Sequence, residues 1–224
     1  GGDNTVLKMR KYYSRPRSRE IVFPDRYSIC VLNAKKILGI NKKEMDKLCE
    51  GLFNDIYLLN QMACSSPQLF NWIGLTSDIK KAKKKLWPLL IKYAKDRNNL
   101  KPVEYMNKYL ELCKNVIVNK NIKEVNFENN LLYNIELKSF ENLNKSHRGY
   151  YGTLNEISSN KLNEIASIID ERCQTLTYYG FKKDQLIELI AKNRLRGIDR
   201  IVPIGKSIDM DIVWDGYDIL NQLS

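Results

Sequence analysis

The sequence predicts an α/β domain in which a largely parallel sheet is flanked by helices, giving three layers. In the final third of the chain, short apolar runs typical of strands alternate with helical segments. Short connections between alternating elements favour parallel pairing of the strands. Near the start, the run at 27–32 is almost continuously apolar, as expected of a strand covered on both faces.

The length and composition are those of one ordinary soluble domain. Of the 224 residues, 43% are hydrophobic and 28% are charged, and no run rich in Pro, Gly and Ser divides them. No apolar stretch reaches the roughly 20 residues that span a bilayer. The first residues also lack the apolar core of a signal peptide. We therefore expect a cytoplasmic protein without a membrane span.

Two helix starts stand out in the first third of the chain. Asn41 with Glu44 three residues on is typical of a capping box, and apolar residues then recur at helical spacing. Pro67 suits the first position of a second helix, for which Ser65 or Ser66 would be the N-cap. The sequence therefore predicts a helix that begins at Pro67.

Two further helices are predicted in the middle of the chain. Ser77 is suited to cap a long Lys-rich helix that runs toward Tyr93, with a kink or break at Pro88. Pro102 suits the start of the next helix. The apolar face predicted for that helix carries Met106, Leu110 and Cys113.

The remaining elements complete the alternation of helices and strands. The Asn-rich segment at 125–140 is strand-like, and Asn160 precedes a helix. A strand is predicted at 174–179, a helix follows it, and a last strand is predicted at 200–204. Pro203 has no N–H to donate, so it favours a sheet edge or a strand end for that run.

Cys64 is the candidate nucleophile. A helix beginning at Pro67 would place unpaired backbone N–H groups and the helix dipole near its sulfur, which favours a thiolate. The same N–H groups would stabilise an oxyanion, so acyl transfer is the predicted chemistry. The alternative is that Cys64 is a small buried hydrophobe without reactivity.

The cysteine and histidine content predicts neither a metal site nor a disulfide framework. His147 is the only histidine. The cysteines are odd in number and lack a C-x-x-C pair, which leaves no ligand spacing typical of zinc. They are Cys30, Cys49, Cys64, Cys113 and Cys173.

The net charge of +11 raises the question of polyanion binding. The densest basic run has five lysines at 80–85, in a predicted helix with apolar residues on its opposing face. A solvated helix surface is the simpler interpretation. Contact with the phosphates of a cofactor or a nucleic acid is the alternative.

Three separated segments carry a resemblance to a known family. They are Gly1-Gly2 followed by 19–23 and the strand at 27–28, the octet Gln-Met-Ala-Cys-Ser-Ser-Pro-Gln at 61–68, and 200–205 leading to Trp-Asp-Gly-Tyr-Asp at 214–218. In these residues, their order and their spacing, the chain resembles the catalytic part of bacterial long-chain fatty acyl-CoA reductases of the LuxC type. That family is a branch of the aldehyde dehydrogenase superfamily.

We expect residues 214–217 to form a packed terminal turn.

The resemblance implies a fold and a domain organisation. Residues 1–224 would be an aldehyde dehydrogenase-like catalytic domain, in a fragment that lacks most of an N-terminal nicotinamide-binding domain. No G-x-G-x-x-G loop follows a strand in the sequence, which agrees with cofactor binding mainly by that preceding domain. A homo-oligomer is compatible with the resemblance.

The resemblance also implies a reaction. Cys64 would attack the thioester of a long-chain acyl-CoA, or accept the acyl group from a donating protein, and NADPH would reduce the S-acyl-cysteine to a fatty aldehyde. Gln61, Ser65, Ser66 and Gln68 are expected to support the loop and the oxyanion. We expect no metal ligands in this chain. The residues that contact the cofactor are left undetermined.

Two rival functions use other features of the sequence. Cys64 with His147 would suffice for a Cys-His acyltransferase or hydrolase if the two side chains were adjacent. The basic composition suits a nucleic-acid-binding module if the lysines and arginines form one face, which the modest clustering makes the weaker expectation.

Overall fold

The strands are defined in a computed structural model that describes residues 3–98, 100–141 and 143–224. Seven of the strands form one sheet and the last two form a separate hairpin. In chain order they are β1 (Tyr27–Asn33), β2 (Pro67–Ile73), β3 (Ile122–Glu128), β4 (Leu132–Leu137), β5 (Thr153–Ser159), β6 (Cys173–Tyr179), β7 (Arg200–Pro203), β8 (Val213–Trp214) and β9 (Tyr217–Asp218).

The helices lie between these strands and at both ends of the chain. In the described residues no helix is long and apolar enough to cross a membrane. The helices are α1 (Asp3–Met9), α2 (Ala34–Leu38), α3 (Lys42–Ile56), α4 (Thr76–Lys95), α5 (Pro102–Val118), a 3-10 helix (Leu162–Ile168), α6 (Lys183–Lys192) and α7 (Ile219–Leu223).

The main sheet is largely parallel. Its strand order is β3-β4-β5-β2-β1-β6-β7, so β2 and β1 lie near the centre. Every neighbouring pair is parallel except β3 with β4, which is antiparallel at one edge. The predicted α/β class with a largely parallel sheet is confirmed.

Alternate side chains of β1 point into two apolar layers. Cys30 and Leu32 pack with residues of α2, α3 and α4. Ile29 and Val31 pack with residues of α5, the 3-10 helix and α6 on the opposite face. Because both faces are covered, the apolar run in β1 is nearly continuous, as predicted.

Several elements follow the sequence signals closely. Asn41 Oδ1 accepts from Glu44 N at 3.0 Å and Glu44 Oε2 accepts from Asn41 N at 2.9 Å, so the capping box is confirmed. The strand-like segment at 125–140 lies in the β3–β4 pair. Pro203 is the last residue of β7, which is an edge strand as expected.

The predicted helix at Pro67 is wrong, because Pro67 is the first residue of β2. All seven residues of β2 are buried, and β1 and β5 pair with its two edges. A proline is tolerated at the first position of a strand. Burial of the apolar run that follows it, in the centre of the sheet, outweighs the local Ser-Pro signal.

The predicted bounds of the Lys-rich helix are also corrected. α4 begins at Thr76 with Leu75 as its N-cap, so Ser77 lies inside the helix. The helix continues through Pro88 to Lys95, and the expected break is absent. Buried residues on both sides of the proline, including Leu86 and Leu90, hold the two halves against the same apolar layer.

α5 buries a different face from the predicted one. Met106 and Leu110 are exposed, and the buried residues are Lys108, Leu112 and Asn115. Lys108 Nζ donates to three main-chain carbonyls, those of Asn130, Leu131 and Tyr151. These acceptors explain why a charged side chain lies inside, although burial lowers the pKa of Lys108 to about 7.

Candidate active site

The loop between α3 and β2 carries Cys64. Asn60 and Gln61 both have positive φ values, 52° and 60°, so two consecutive residues in the left-handed region reverse the chain. Two turn hydrogen bonds follow, from Met62 N to Leu59 O at 2.9 Å and from Ser66 N to Ala63 O at 3.0 Å. The loop is therefore a compact turn that delivers the chain to the start of β2.

Gln61 fastens this loop from inside. Its buried side chain makes four hydrogen bonds, which saturate both ends of the amide. Nε2 donates to Pro67 O at 3.0 Å and to Thr153 O at 2.9 Å. Oε1 accepts from Gly152 N at 3.1 Å and from Thr153 N at 3.0 Å. The start of β5 is thereby joined to the loop.

Ser65 and Ser66 of this loop are also buried, as is Gln68 at the start of β2. Gln68 Nε2 donates to Gln61 O at 3.1 Å, and Gln68 Oε1 accepts from Gly149 N at 2.7 Å. The two glutamines and two serines of the octet thus lie together around Cys64, and each glutamine bridges the loop to the segment at 149–153.

Exposure separates Cys64 from the other cysteines. Cys64 is exposed, Cys113 is half-buried, and Cys30, Cys49 and Cys173 are buried. Burial raises the pKa of the Cys49 thiol to about 11 and raises those of Cys30 and Cys173 as well. The buried thiols are therefore protonated near neutral pH and shielded from reagents.

Cys64 opens onto a cavity of about 430 Å³. The main chain beneath it is anchored, because Ser28 Oγ of β1 donates to Cys64 O at 2.6 Å. The cavity wall combines the loop that carries Cys64 with the segment before β1 and the segment before β5. Its lining residues are Phe23, Pro24, Asp25, Arg26, Gln61, Met62, Ala63, Cys64, Gln68, Arg148 and Tyr150.

Asp25 in the cavity wall is bound by two arginines. Arg148 and Arg172 each donate to its carboxylate at 2.7 Å. Burial favours the neutral acid, but the hydrogen bonds and charges of the two arginines outweigh it and lower the pKa of Asp25. Arg148 also donates to the carbonyl of Arg26, so the segments before β1 and β5 are tied together.

Arg26 ties the cavity wall to the end of the chain. Its guanidinium donates to Cys173 O at 2.8 Å and to Gly197 O at 3.0 Å, and it pairs with Asp199. A further ion pair of 3.3 Å joins it to Asp215. Burial raises the pKa of Asp215, and the charge of Arg26 opposes that rise.

The predicted terminal turn at 214–217 is confirmed as a packed hairpin of β8 and β9. Asp215 and Gly216 have φ values of 56° and 79°, as a two-residue hairpin turn requires. Trp214 lies under the Arg200 guanidinium at 4.4 Å, and the Tyr217 ring meets the Phe23 ring edge-on at 5.9 Å.

The structure does not supply the helix terminus that was predicted to activate Cys64. Residues 67–73, which directly follow the loop that carries Cys64, form β2 rather than a helix, so neither Ser65 nor Ser66 is an N-cap. Activation by a helix dipole at Pro67 is therefore wrong.

His147 is not brought to Cys64 in the described part of the chain. The cavity that Cys64 lines includes Arg148 but not His147, whose buried Nε2 has no hydrogen-bond partner there. Burial lowers the pKa of His147. Within the same ranges, no three His, Cys, Asp or Glu side chains converge as a metal site would require. The geometry gives no support to a Cys-His pair.

Two lysines of the basic run at 80–85 have internal partners. Lys83 Nζ lies 3.1 Å from Glu156 Oε2. Lys85 Nζ donates to three carbonyls at the end of α2, those of Ile37, Leu38 and Ile40. The run is therefore a mixed surface, in which part of the positive charge stabilises the fold.

Four polar residues around Cys64 were not predicted from the sequence. Asp25 and Arg26 directly precede an apolar strand, and Ser28 interrupts it, so each leaves a weak local signal. Arg148 lies 80 residues beyond the end of the octet in the sequence, and no spacing rule connects it to Cys64.

A comparison with protein families decides the family of this chain. The model described as LuxC, acyl-CoA reductase, matches residues 1–224, the full length. The chain belongs to the LuxC family of acyl-CoA reductases. The resemblance seen in the octet and in the ending at 214–218 is thereby confirmed, while Gly1-Gly2 lies outside the described residues. No curated protein matches the chain.

Solved aldehyde dehydrogenases share the fold of this LuxC-family chain. A 1-pyrroline-5-carboxylate dehydrogenase is 12% identical with a TM-score of 0.58, covering 99% of this chain and 48% of its own. The enzyme of that name from Thermus with bound NAD is 12% identical with a TM-score of 0.52, covering 90% and 41%. A salicylaldehyde dehydrogenase from Pseudomonas putida G7, complexed with salicylaldehyde, is 7% identical with a TM-score of 0.53, covering 85% and 40%.

These identities show the fold alone. The sheet and helices described above are those of an aldehyde dehydrogenase domain, as the resemblance implied. The chain spans less than half the length of these solved structures.

Proposed function

We propose that this chain is the catalytic domain of an acyl-CoA reductase of the acylating aldehyde dehydrogenase type, with Cys64 as its nucleophile. The observation that carries the proposal is the position of Cys64, an exposed thiol at the wall of a 430 Å³ cavity in a LuxC-family chain. Three of the other four cysteines are buried.

The chemistry proposed for Cys64 is thiol-thioester exchange. The Cys64 thiolate attacks the carbonyl carbon of a long-chain acyl-CoA, the C–S bond to CoA breaks, and CoA leaves as a thiolate that takes a proton from water. One sulfur leaving group replaces another, so the step needs little acid catalysis. The absence of a histidine partner is therefore compatible with this reaction. An acyl-donating protein is a second possible source of the acyl group.

The side chains of the octet have a proposed role in holding Cys64. Gln61 and Gln68 join the loop to the segment at 149–153, and Ser65 and Ser66 are buried residues of the loop. A rigid loop keeps the sulfur and the main-chain N–H groups in a fixed relation, which lowers the cost of reaching a tetrahedral intermediate.

We propose NADPH as the reductant, held mainly by a nicotinamide-binding domain outside these residues. When bound, NADPH supplies the hydride that releases the acyl group as an aldehyde. The described residues do not fit a dinucleotide by themselves, because β1 leads into α2 without an intervening loop and no glycine-rich loop follows β2 or β6 in the described part. The contribution of this chain is the thiol and the cavity.

The proposal predicts a burst of CoA release. Mixing the protein with excess long-chain acyl-CoA, without NADPH, should release about one CoA thiol per chain, because each Cys64 is acylated once. Cys64→Ala should abolish this burst. Cys113→Ala is the matched control, since it removes the half-buried thiol of α5 and should leave the burst unchanged. A Cys64→Ala protein that retains the full burst would overturn the proposal.

A further inference from the structure

The pairing of β1 is interrupted on both sides at Ser28. On one side, Ser28 pairs with Pro67 of β2 but Ile29 already pairs with Leu69. On the other side, the register with β6 also shifts between residues 27 and 29. Such bulges leave backbone groups without ladder partners and recur next to active sites.

The Ser28 hydroxyl bonds to main-chain groups on both sides of β1. The residue is completely buried, and its Oγ donates to Cys64 O at 2.6 Å while accepting from Thr175 N at 3.2 Å. One side chain therefore joins the nucleophile loop, β1 and β6. A polar residue in an otherwise apolar buried strand needs such partners, and here both partners are main-chain groups.

Anchoring this carbonyl fixes the orientation of the nucleophile. The hydrogen bond from Ser28 holds the Cys64 carbonyl toward the sheet. Because the carbonyl carbon is bonded to the Cys64 Cα, the same hydrogen bond restrains the direction of the Cys64 side chain. Because the 64–65 peptide is trans, its N–H points opposite to the anchored carbonyl. The hydrogen bond also polarises that peptide, which makes the N–H a better donor.

We propose that Ser28 is a positioning residue for acyl transfer at Cys64, acting through the Cys64 carbonyl. The inference rests on the proposed function and adds a residue outside the octet to its machinery. The hydroxyl holds the main chain of the loop in the orientation in which the Ser65 N–H meets the oxyanion formed when the thiolate adds to a thioester carbonyl.

Two reactions of the Cys64 sulfur distinguish a positioning role of Ser28 from a role in the overall stability of the fold. Acyl transfer passes through a tetrahedral oxyanion, so it depends on aligned N–H donors. Alkylation by iodoacetamide displaces iodide at a carbon without forming an oxyanion, so it reports only the access and ionisation of the thiol. The ratio of the two rates at Cys64 therefore measures the oxyanion contribution in one sample.

The test compares Ser28→Ala with Ser159→Ala. Ser159 is also a buried strand serine, and it donates to Asn71 at 3.0 Å at the opposite end of β2. Ser28 pairs with Pro67 and Ser159 pairs with Ile73, so the two serines lie six residues apart along β2. That separation corresponds to about 20 Å. Both rates are followed on the Cys64 peptide by mass spectrometry, using palmitoyl-CoA and iodoacetamide, at a temperature where each variant is folded by circular dichroism.

Ser28→Ala should lower the acylation rate by about tenfold to a hundredfold, since small misplacements at a reacting centre cost that much. Its alkylation rate should stay within about twofold, and Ser159→Ala should change neither rate. An unchanged ratio in Ser28→Ala would overturn the inference while leaving the proposed function standing. Acylation that persists in Cys64→Ala would instead defeat the proposed function.

A second variant covers the case in which Ser28→Ala does not fold. Ser28→Thr retains the hydroxyl, so its ratio of acylation to alkylation should match that of the wild type even if the added methyl lowers the melting temperature. A folded Ser28→Thr protein whose ratio falls about tenfold or more would contradict positioning by the hydroxyl.

Discussion

Asp55 joins the end of α3 to the loop that follows β7. Its carboxylate accepts from Gly205 N at 2.8 Å and from Ser207 N at 3.0 Å. Burial nevertheless raises the pKa of Asp55 from 3.8 to about 6. Because the folded-state pKa lies above the unfolded value, the stability linked to this group is fully present below pH 3.8 and is lost as the pH rises through about 6.

Asp55→Asn should remove this pH dependence. Between pH 4 and pH 7, the free energy of unfolding of the wild type should fall relative to that of the variant by about 2 kcal/mol, which is most of the effect of a pKa shift of about two units. Urea unfolding at the two pH values measures the difference. Equal pH dependences of the two proteins would contradict the raised pKa.

Gln61 allows a nearly isosteric test of the loop. Gln61→Glu keeps the shape but replaces the two N–H donors with a carboxylate oxygen that faces the carbonyls of Pro67 and Thr153. The free energy of unfolding should fall by about 3 kcal/mol or more, because the new carboxylate is buried and faces two carbonyl oxygens that cannot donate to it. Urea unfolding of the variant at pH 7 measures this loss.

Gln185→Glu is the matched control for this substitution. Gln185 is exposed, and its Oε1 accepts from Lys182 N at 2.9 Å at the start of α6. A glutamate oxygen accepts that bond equally well, so stability should change by less than about 0.5 kcal/mol. If Gln61→Glu were as stable as Gln185→Glu, the saturated amide would not be holding the loop.

Individual residues of the site were predictable only where the octet names them. Cys64 and its neighbours form a specific sequence motif, and the structure places all of them around one loop. Ser28 and Arg148 could not be predicted in the same way. Their partners are main-chain atoms and charges contributed by distant segments, which no local pattern in the sequence encodes.

Pro88 offers a test among the secondary-structure elements. It is exposed in the interior of α4, where a proline removes one helical hydrogen bond and crowds the preceding turn. Pro88→Ala should therefore raise the free energy of unfolding by about 1 to 3 kcal/mol. Urea unfolding at neutral pH checks the gain.

Pro102→Ala is the control for that gain. Pro102 is the first residue of α5, where the missing N–H has no helical partner in any case and the fixed φ suits the helix. This substitution should give no increase in stability. A Pro88→Ala protein no more stable than Pro102→Ala would show that α4 has already adjusted to its proline.

The elements that were predicted correctly are those whose local signal agrees with their burial. The capping box at Asn41 and the apolar run of β1 are two such cases. Pro67 failed because a Ser-Pro pair suits the start of a helix and also the start of a strand. Only the pairing with β1 and β5, which involves residues far along the chain, decides between them.

The fold as a whole places Cys64 at the end of the sheet where its parallel strands begin. Open α/β sheets generally bind ligands at the carboxyl ends of their strands. Here Ser28, Pro67, Thr153 and Thr175 all lie at or near the amino ends of their strands, and Cys64 lies beside them.

The identity of the acylated residue is the most direct test of Cys64 as the nucleophile. After incubation with palmitoyl-CoA, the protein is digested and the modified peptide is identified by mass spectrometry, with and without hydroxylamine. We expect one palmitoyl group on Cys64, which hydroxylamine removes because the bond is a thioester. A palmitoyl group on another residue, with Cys64 unmodified in a folded protein, would show that Cys64 is not the nucleophile.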